Sequence, residues 1–418
     1  MKRRIFLNLI ILALSPCLYV EAADPLNNFK ITGEVDQQFI PVLHEFIENF
    51  TNRGETNAQC AVYYKGKKVV DLWGRYGNKP KLTLTFSVSK GMSAAAMAVA
   101  YDRGYFGLYD KVADHWEGFA NNGKENITIQ QLLDHKAGLV GMSGPLYPRH
   151  IANHDFMKKI LQEQKPIWTP GEKHGYHLLT IGWYESQLIR LTDPNKRSLG
   201  QFFQEEIAKP LDAEFYIGLP DNINSWEVNT VMGFSKEDAI RNITKLPRQL
   251  VIDAAFNWTP ISKALKPLKI SDTAKFNSRD YQMVEIPSAN GIGTADAIAK
   301  VYSHLAGARI ISKNTLDKIT GPVIIPDNGI EDAVLRVPNL YSFGFSRPGP
   351  VLNFGTDRKS FGAPGLGGSF GMGDPTIDLG YAYITNELKV GLFGDEREES
   401  VRRKVYECLQ TNLTDERP

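Results

Sequence analysis

The stretch Thr85-Phe86-Ser87-Val88-Ser89-Lys90-Gly91, running into Met92-Ser93-Ala94-Ala95-Ala96-Met97-Ala98-Val99-Ala100-Tyr101-Asp102-Arg103-Gly104, constrains this chain more than any other. Its alanines predict a helix slender enough to be packed on every side, ended by Gly104, with a serine delivered to its first turn. Ser87 and Lys90 are three residues apart, so they share one helical face with hydroxyl and amine side by side. A serine hydroxyl becomes a competent nucleophile when a base takes its proton, and a lysine is that base only when uncharged near neutral pH. Burial disfavours the ammonium form, and the positive end of the helix dipole disfavours it further. Ser-x-x-Lys alone more often describes a capping serine and a solvated lysine; the unbroken small-residue run beside Lys90 shifts the reading toward chemistry.

A chain of 418 residues with 42% hydrophobic content buries a large core as one large domain or two. A net charge of +1 gives no electrostatic footprint for nucleic acid or an acidic membrane surface, which leaves a small molecule as the expected partner. The N-terminus reads as a targeting signal over residues 1–22. Lys2-Arg3-Arg4 is a basic start, Ile5 to Leu14 an apolar run too short to span a bilayer, and Val20-Glu21-Ala22 a small-x-small cleavage site. No other stretch is apolar enough for a membrane span, and export to the secretory-pathway lumen or beyond is the expectation. Cys17 then leaves with the signal, stranding Cys60 and Cys408 in an oxidising compartment, where a pair that meets closes as one disulfide. Asn-x-Ser/Thr acceptors for glycosylation stand at Asn49, Asn126, Asn242, Asn257 and Asn412, the fourth weakened by Pro260 just beyond it.

Along the chain, Glu34 to Phe50 has apolar residues at helical spacing. Ala58 to Tyr64 and Lys68 to Trp73 read as strands joined at Lys65-Gly66-Lys67. Helical patterns follow at Ile127 to His135, His154 to Gln164, Tyr176 to Leu191 and Leu199 to Leu211. From Ser225 to about Ile286 no clean period appears. Thr294 to Ala306 is helical again, strand signals return at Tyr341 to Phe345, Gly367 to Met372 and Leu379 to Asn386, and Glu396 to Leu409 closes the chain as a helix. Strands at both ends with helices between imply an α/β fold of the α+β type. Residues 23–110 and 290–418 would form an antiparallel sheet flanked by terminal helices, and 111–289 an inserted, mainly helical subdomain. If the terminal helices cover one face of that sheet, Cys60 on the first strand and Cys408 on the last helix meet.

Two further stretches bear on Ser87. Trp168-Thr169-Pro170-Gly171-Glu172-Lys173-His174-Gly175-Tyr176-His177 sets a tyrosine on a Gly-flanked turn at the head of a helix, where its hydroxyl can relay a proton. Phe361-Gly362-Ala363-Pro364-Gly365-Leu366-Gly367-Gly368-Ser369-Phe370-Gly371 is a Gly-rich strand edge that lets substrate approach the backbone and leaves an N–H for an oxyanion. With these in order, the chain resembles the serine β-lactamase and penicillin-binding-protein superfamily, most closely the class C β-lactamase branch and the carboxylesterases sharing that fold. Val70-Asp71-Leu72-Trp73-Gly74, Leu132-Leu133-Asp134-His135-Lys136-Ala137-Gly138-Leu139 and Gly291-Ile292-Gly293-Thr294 extend the likeness over nearly all of the expected mature chain. The resemblance implies a β-lactamase/transpeptidase-like fold, Ser87 as the acylated nucleophile, Lys90 as its base and Tyr176 as second proton carrier. It also implies an oxyanion held by the N–H groups of Ser87 and Leu366, beside Ala363, Pro364 and Gly365, and no cofactor.

Two departures shape the expected substrate. Tyr-x-Asn reads Tyr176-His177-Leu178, and Lys-Thr-Gly or His-x-Gly reads Ala363-Pro364-Gly365, so no cation meets a substrate carboxylate unless Arg358 or Lys359 reaches in. Neutral esters or amides are therefore expected. Three other readings compete. A Gly-x-Ser-x-Gly elbow at Gly367–Gly371 fails because its histidine has to follow in the chain and His304 is the last one. Metal sites on His150 and His154, or on His174 and His177, lack a third ligand. A binding or scaffolding protein that keeps the fold without turnover is opposed by the joint presence of Ser87, Lys90 and Tyr176.

Overall fold

The computed structural model describes residues 8–13, 17–24, 29–77, 81–142, 144–234, 236–268 and 272–415. Its spine is an antiparallel sheet of ten strands. They are β1 (Asn8–Ala13), β2 (Cys17–Asp24), β3 (Phe29–Asp36), β4 (Asn57–Tyr64), β5 (Lys67–Tyr76), β9 (Tyr341–Ser342), β10 (Phe345–Ser346), β11 (Phe361–Pro364), β12 (Phe370–Asp374) and β13 (Leu379–Thr385), ordered β1-β2-β3-β5-β4-β13-β12-β11-β10-β9. The two chain ends meet in its middle, where β4 pairs with β13 from Ala58 opposite Thr385 to Tyr64 opposite Leu379. A second small sheet, β6-β8-β7, joins β6 (Thr83–Leu84), β7 (Phe215–Tyr216) and β8 (Ile292–Gly293).

Strand alternation assigns each face of the large sheet to a different core. Cys60, Val62, Tyr381 and Tyr383 pack under helix α1 (Ile40–Thr51) and the C-terminal helix Glu396–Asp415, with Val42, Phe46, Val401 and Val405. Ala61, Tyr63, Ala382 and Ile384 face the Ala295–Ala306 helix and, beyond it, helix α2 (Val88–Asp102). Every residue of α2 from Val88 to Ala100 is buried, which explains the alanines: larger side chains would push apart the helices and strand β11 around it. Gly91 shows how tight the fit is, since a β-carbon there would stand 1.9 Å from Tyr302 Oη. A buried pair stitches the ends together. Arg397 Nη1 lies 2.9 Å from Glu55 Oε2, with both side chains essentially inaccessible, and Arg397 Nε holds Asp395 Oδ1 at 2.8 Å.

Several sequence expectations change. Residues 34–36 belong to β3, and α1 starts only at Ile40 with Pro41 in its first turn, a start signal the apolar periodicity overran. The helix expected from Tyr176 begins at Thr180; Tyr176 and His177 lie in the loop before it, their N–H groups donating to Asp332 Oδ2 (2.9 Å) and His135 Nδ1 (3.1 Å). Among the described residues, the region 225–286 holds only short helical pieces, among them Arg248–Ala254 and Pro260–Leu265.

The proposed disulfide does not form: Cys60 and Cys408 are both free thiols. Cys60 sits within electrostatic reach of Glu398, in the first turn of the C-terminal helix, whereas Cys408 lies ten residues later, ~15 Å along the axis, and its carbonyl accepts from Gln38 Nε2 at 3.0 Å. The Asn49 acceptor is corrected too. Its side chain is fully buried and donates to Tyr383 Oη (3.2 Å) and the Arg397 carbonyl (2.8 Å), leaving no room for a glycan. Asn126 and Asn257 are exposed and Asn242 is half-buried; the side chain of Asn412 lies outside the described residues. Residues 8–13 and 17–24, which up to Ala22 were assigned from sequence to the removable signal, pair as a hairpin onto β3 at the sheet edge. No helix among the described residues is long and apolar enough to cross a membrane.

Candidate active site

The small sheet positions the serine. Thr85 donates from both its N–H and Oγ1 to the Gly291 carbonyl, at 2.9 and 3.0 Å, clamping the end of β6 to the start of β8. The next residue, Phe86, has a φ of +45°, a left-handed conformation that bulky residues rarely adopt, and its ring is held edge-on to Phe276 at 5.6 Å. That sharp bend swings the chain from strand into α2 and leaves Ser87 as the residue before the helix, half-buried while its neighbours are enclosed.

Lys90 is 3% exposed, and its Nζ has three oxygen neighbours: Ser87 Oγ at 3.3 Å, the Leu178 carbonyl at 2.7 Å and the Ser288 carbonyl at 2.9 Å. An uncharged amine has two hydrogens and one lone pair. Two carbonyls, which only accept, fix the two hydrogens and leave the lone pair for the serine hydroxyl. Burial pulls the amine down to about 7, partly opposed by the carboxylate of Glu185.

Tyr176 closes the third side. Its ring centroid lies 4.6 Å from Lys90 Nζ, and its hydroxyl hydrogen-bonds Ser87. Burial raises its hydroxyl well above the usual phenol range, and the Ser87 bond lowers it in part, so at neutral pH it is a protonated group able to pass a proton on. The ring is stacked on Tyr341 at 6.0 Å, and the Tyr176 N–H is held by Asp332. The same carboxyl accepts from Tyr341 Oη at 2.7 Å and from the N–H groups of Val334 and Leu335 at 2.8 and 2.7 Å. Buried His135 and His177 complete this support, both pushed far enough down by burial to stay neutral.

The glycine-rich strand edge lies against the nucleophile turn. A β-carbon on Gly365 would sit 2.7 Å from the Thr85 carbonyl and 3.0 Å from Val88 Cγ2, and Ala363 packs beside Gly91. Pro364 is the last residue of β11, opposite Phe370 on β12, and the Gly365 N–H to Ser369 carbonyl bond of 2.8 Å closes the turn that carries half-buried Leu366. Behind that turn, Arg397 Nη2 donates to the Gly367 carbonyl at 2.8 Å.

The structure thus brings Ser87, Lys90, Tyr176, Ala363, Pro364, Gly365 and Leu366 to one locus. It does not bring Arg358 or Lys359: both are exposed at the opposite end of β11, ~15 Å of strand from Ala363. Leu178 has its carbonyl on Lys90 and its side chain among apolar neighbours, where an asparagine would offer an amide. Ser369, of the rejected Gly-x-Ser-x-Gly, is buried with its Oγ accepting from the Thr385 N–H at 3.1 Å. Sequence reasoning missed Asp332, Tyr341, Ser288 and Arg397. The one local signal was the acid in Ile330-Glu331-Asp332-Ala333-Val334-Leu335, set immediately before apolar residues.

Comparison with known proteins shows the family and the fold. The chain is 28% identical over 379 residues to the esterase/beta-lactamase LipL of Mycobacterium tuberculosis, covering 86% of this chain and 83% of that protein. It superposes on the crystal structure of a family VIII carboxylesterase with a TM-score of 0.78 at 30% identity, covering 90% of this chain and 99% of the other. A penicillin-binding-protein homologue from Caulobacter crescentus gives 0.77 at 30% identity with the same coverage, and EstA from Arthrobacter nitroguajacolicus Rue61a gives 0.78 at 26% identity, covering 90% of this chain and 98% of the other. A family model described as Beta-lactamase matches residues 43–404, a span that includes the serine helix, the tyrosine turn and the glycine-rich strand, and so the chain belongs to the Beta-lactamase family.

Proposed function

We propose that this serine hydrolase cleaves neutral esters or amides through an acyl-enzyme on Ser87, with Lys90 and Tyr176 moving the proton. The observation that carries the reading is the three-point setting of Lys90 Nζ, two carbonyls and one hydroxyl, in a buried position. In the first half-reaction the Lys90 lone pair takes the Ser87 proton and Oγ attacks the substrate carbonyl carbon. The resulting oxyanion is stabilised by the Ser87 N–H at the head of α2 and the Leu366 N–H on the turn after β11. The C–O or C–N bond then breaks, and the leaving group receives a proton from the Tyr176 hydroxyl, which is resupplied by Lys90. Water adds to the acyl-serine by the reverse proton route, so that one ester and one water yield one acid and one alcohol.

The neutral-substrate reading rests on Ala363 standing where a cation would meet a substrate carboxylate, on Leu178 standing where an amide would help hold substrate, and on the placement of Arg358 and Lys359 at the far end of β11. The relatives named as carboxylesterases and as an esterase/beta-lactamase fit it. Losing a charge-assisted contact weakens transition-state binding by ~10- to 100-fold. Turnover of a short-chain p-nitrophenyl ester is therefore expected to exceed that of a chromogenic cephalosporin by ~100-fold in kcat/KM, and equal or reversed rates would remove the substrate assignment.

Export follows from the basic start, the short apolar run and the small-x-small site at residues 20–22. Cleavage there would leave β3 as the sheet edge, with sugar accepted at exposed Asn126 and Asn257. Amino-terminal sequencing of protein recovered from eukaryotic culture medium is expected to begin at Ala23; a product beginning at Met1 would contradict it.

A further inference from the structure

Tyr176 stands in the loop ahead of the Thr180–Thr192 helix, outside any helical ladder, yet its hydroxyl has to stay in reach of Ser87 throughout acylation. What holds it lies on the loop before β9. Asp332 is fully buried, and its carboxylate oxygens accept four hydrogen bonds. Oδ1 takes the N–H groups of Val334 and Leu335 at 2.8 and 2.7 Å, which closes the residue's own turn. Oδ2 reaches the other way, to the Tyr176 N–H at 2.9 Å and to Tyr341 Oη at 2.7 Å. Asn339 Nδ2 donates to Tyr341 Oη at 2.6 Å, so the hydrogen of that hydroxyl is free for the carboxylate.

Only an ionised carboxylate, an acceptor at every lone pair, satisfies four donors at once. Burial pushes this group up to about 6, opposed by the bonds from Tyr341, Leu335, Val334 and Tyr176, so at pH 8 it carries its charge. Among the described residues no ion pair reaches it, and the nearest cation in the sequence, Arg336, pairs with Asp253 at 2.7 Å.

We propose that Asp332 is a positioning residue for leaving-group protonation: its Oδ2 holds the main chain of Tyr176 directly and the ring through Tyr341, which keeps the Tyr176 hydroxyl aimed at the departing oxygen. The inference rests on the proposed role of Tyr176 as proton donor.

The two grips fix different motions. The N–H bond sets where the residue starts. The Tyr341 ring, itself met edge-on by His135 at 4.5 Å, stacks on Tyr176 at 6.0 Å with 14° between the planes and sets its tilt. The main chain on either side has its own ties, since the Ala333 N–H donates to the His174 carbonyl at 3.0 Å and the His177 N–H to His135 Nδ1 at 3.1 Å. Asp332→Asn keeps the side-chain shape. Its amide oxygen goes on accepting from Val334 and Leu335, which turns Nδ2, a donor, toward the Tyr176 N–H and the Tyr341 hydroxyl. The turn is kept and both grips on Tyr176 are lost. A displacement of about 1 Å costs on the order of 100-fold where the hydroxyl must deliver a proton, and little where it need not. Ethoxide needs that proton on its oxygen as the acyl C–O bond breaks, whereas p-nitrophenolate, and fluoride from a fluorophosphonate, depart as anions.

The test uses full-length protein and butyrate esters of p-nitrophenol, phenol, trifluoroethanol and ethanol, with kcat/KM reporting every step through release of the alcohol. In Asp332→Asn, kcat/KM is expected to fall ~100-fold for the ethyl ester and less than ~5-fold for the p-nitrophenyl ester, with the losses graded between them and Ser87 phosphonylation slowed less than ~5-fold. Tyr176→Phe is expected to give the same graded series, and the double variant to be no slower than Tyr176→Phe alone, because Asp332 acts through that hydroxyl. If the asparagine variant does not fold, Tyr341→Phe keeps the stacked ring and unties it from Asp332, with a loss of ~5- to 20-fold expected for the ethyl ester alone. Losses equal across the series, no loss at all, or losses that multiply with those of Tyr176→Phe overturn the inference. Wild-type protein that neither takes the phosphonate on Ser87 nor turns over any ester of the series removes the hydrolase reading instead.

Discussion

Replacing Ser87 by alanine is expected to lower kcat/KM for an aryl ester by on the order of 10⁴-fold or more and to abolish labelling by a fluorophosphonate, with the melting temperature nearly unchanged. The size follows from what the hydroxyl does. Without Oγ there is no acyl-enzyme, and only the oxyanion donors and substrate binding remain to help water attack directly. The stability expectation follows from place: Ser87 precedes α2 and is half-buried, with no capping hydrogen bond from its side chain. Retention of more than a tenth of wild-type activity would mean that another group attacks the substrate.

Lys90→Met is the second large effect, an expected loss of ~10³-fold or more with a flat pH profile over the range where the wild type titrates. Methionine fills the same tunnel between the Leu178 and Ser288 carbonyls but offers no lone pair. Lys90→Arg is expected to be equally inactive, because a guanidinium keeps its proton at any usable pH. The sign of the wild-type pH dependence follows from the same chemistry. The reactive form is the uncharged amine, and burial holds that group at about 7, so activity rises with pH through the neutral range and is not lost again as the amine stays uncharged above it. A lysine in water would instead bring the rise near pH 10.

What the sequence revealed, and what it hid, divides by the range over which each feature is encoded. Ser87 and Lys90 were legible because the helix fixes their relation within one turn, and Tyr176 because glycines and a proline punctuate its loop. The large sheet was legible in outline because alternation over β4, β5 and β13 is local. Asn49 shows the opposite case: a glycosylation acceptor by its three-residue pattern, it is spent on Tyr383 and Arg397, more than 300 positions away in the chain. Cys60 and Cys408 lie in the same core, yet only the register of the C-terminal helix against β4 decides that their sulfurs do not bond. Glu185 carries no local signal, and only the packing of its helix buries its carboxyl. Around residues 225–286 the helical pieces are too short to print a period, so no window of sequence contains their signal.

The account turns on an uncharged Lys90 activating Ser87, and the most direct measurement of that is the pH dependence of the rate at which a fluorophosphonate attaches to the protein, with the modified peptide identified by mass. The predicted result is a single adduct on Ser87 whose rate climbs between about pH 6 and 8, levels off above, and vanishes in Lys90→Met. An adduct on another residue, or a rate on Ser87 that climbs only near pH 10 and survives the loss of Lys90, would contradict it.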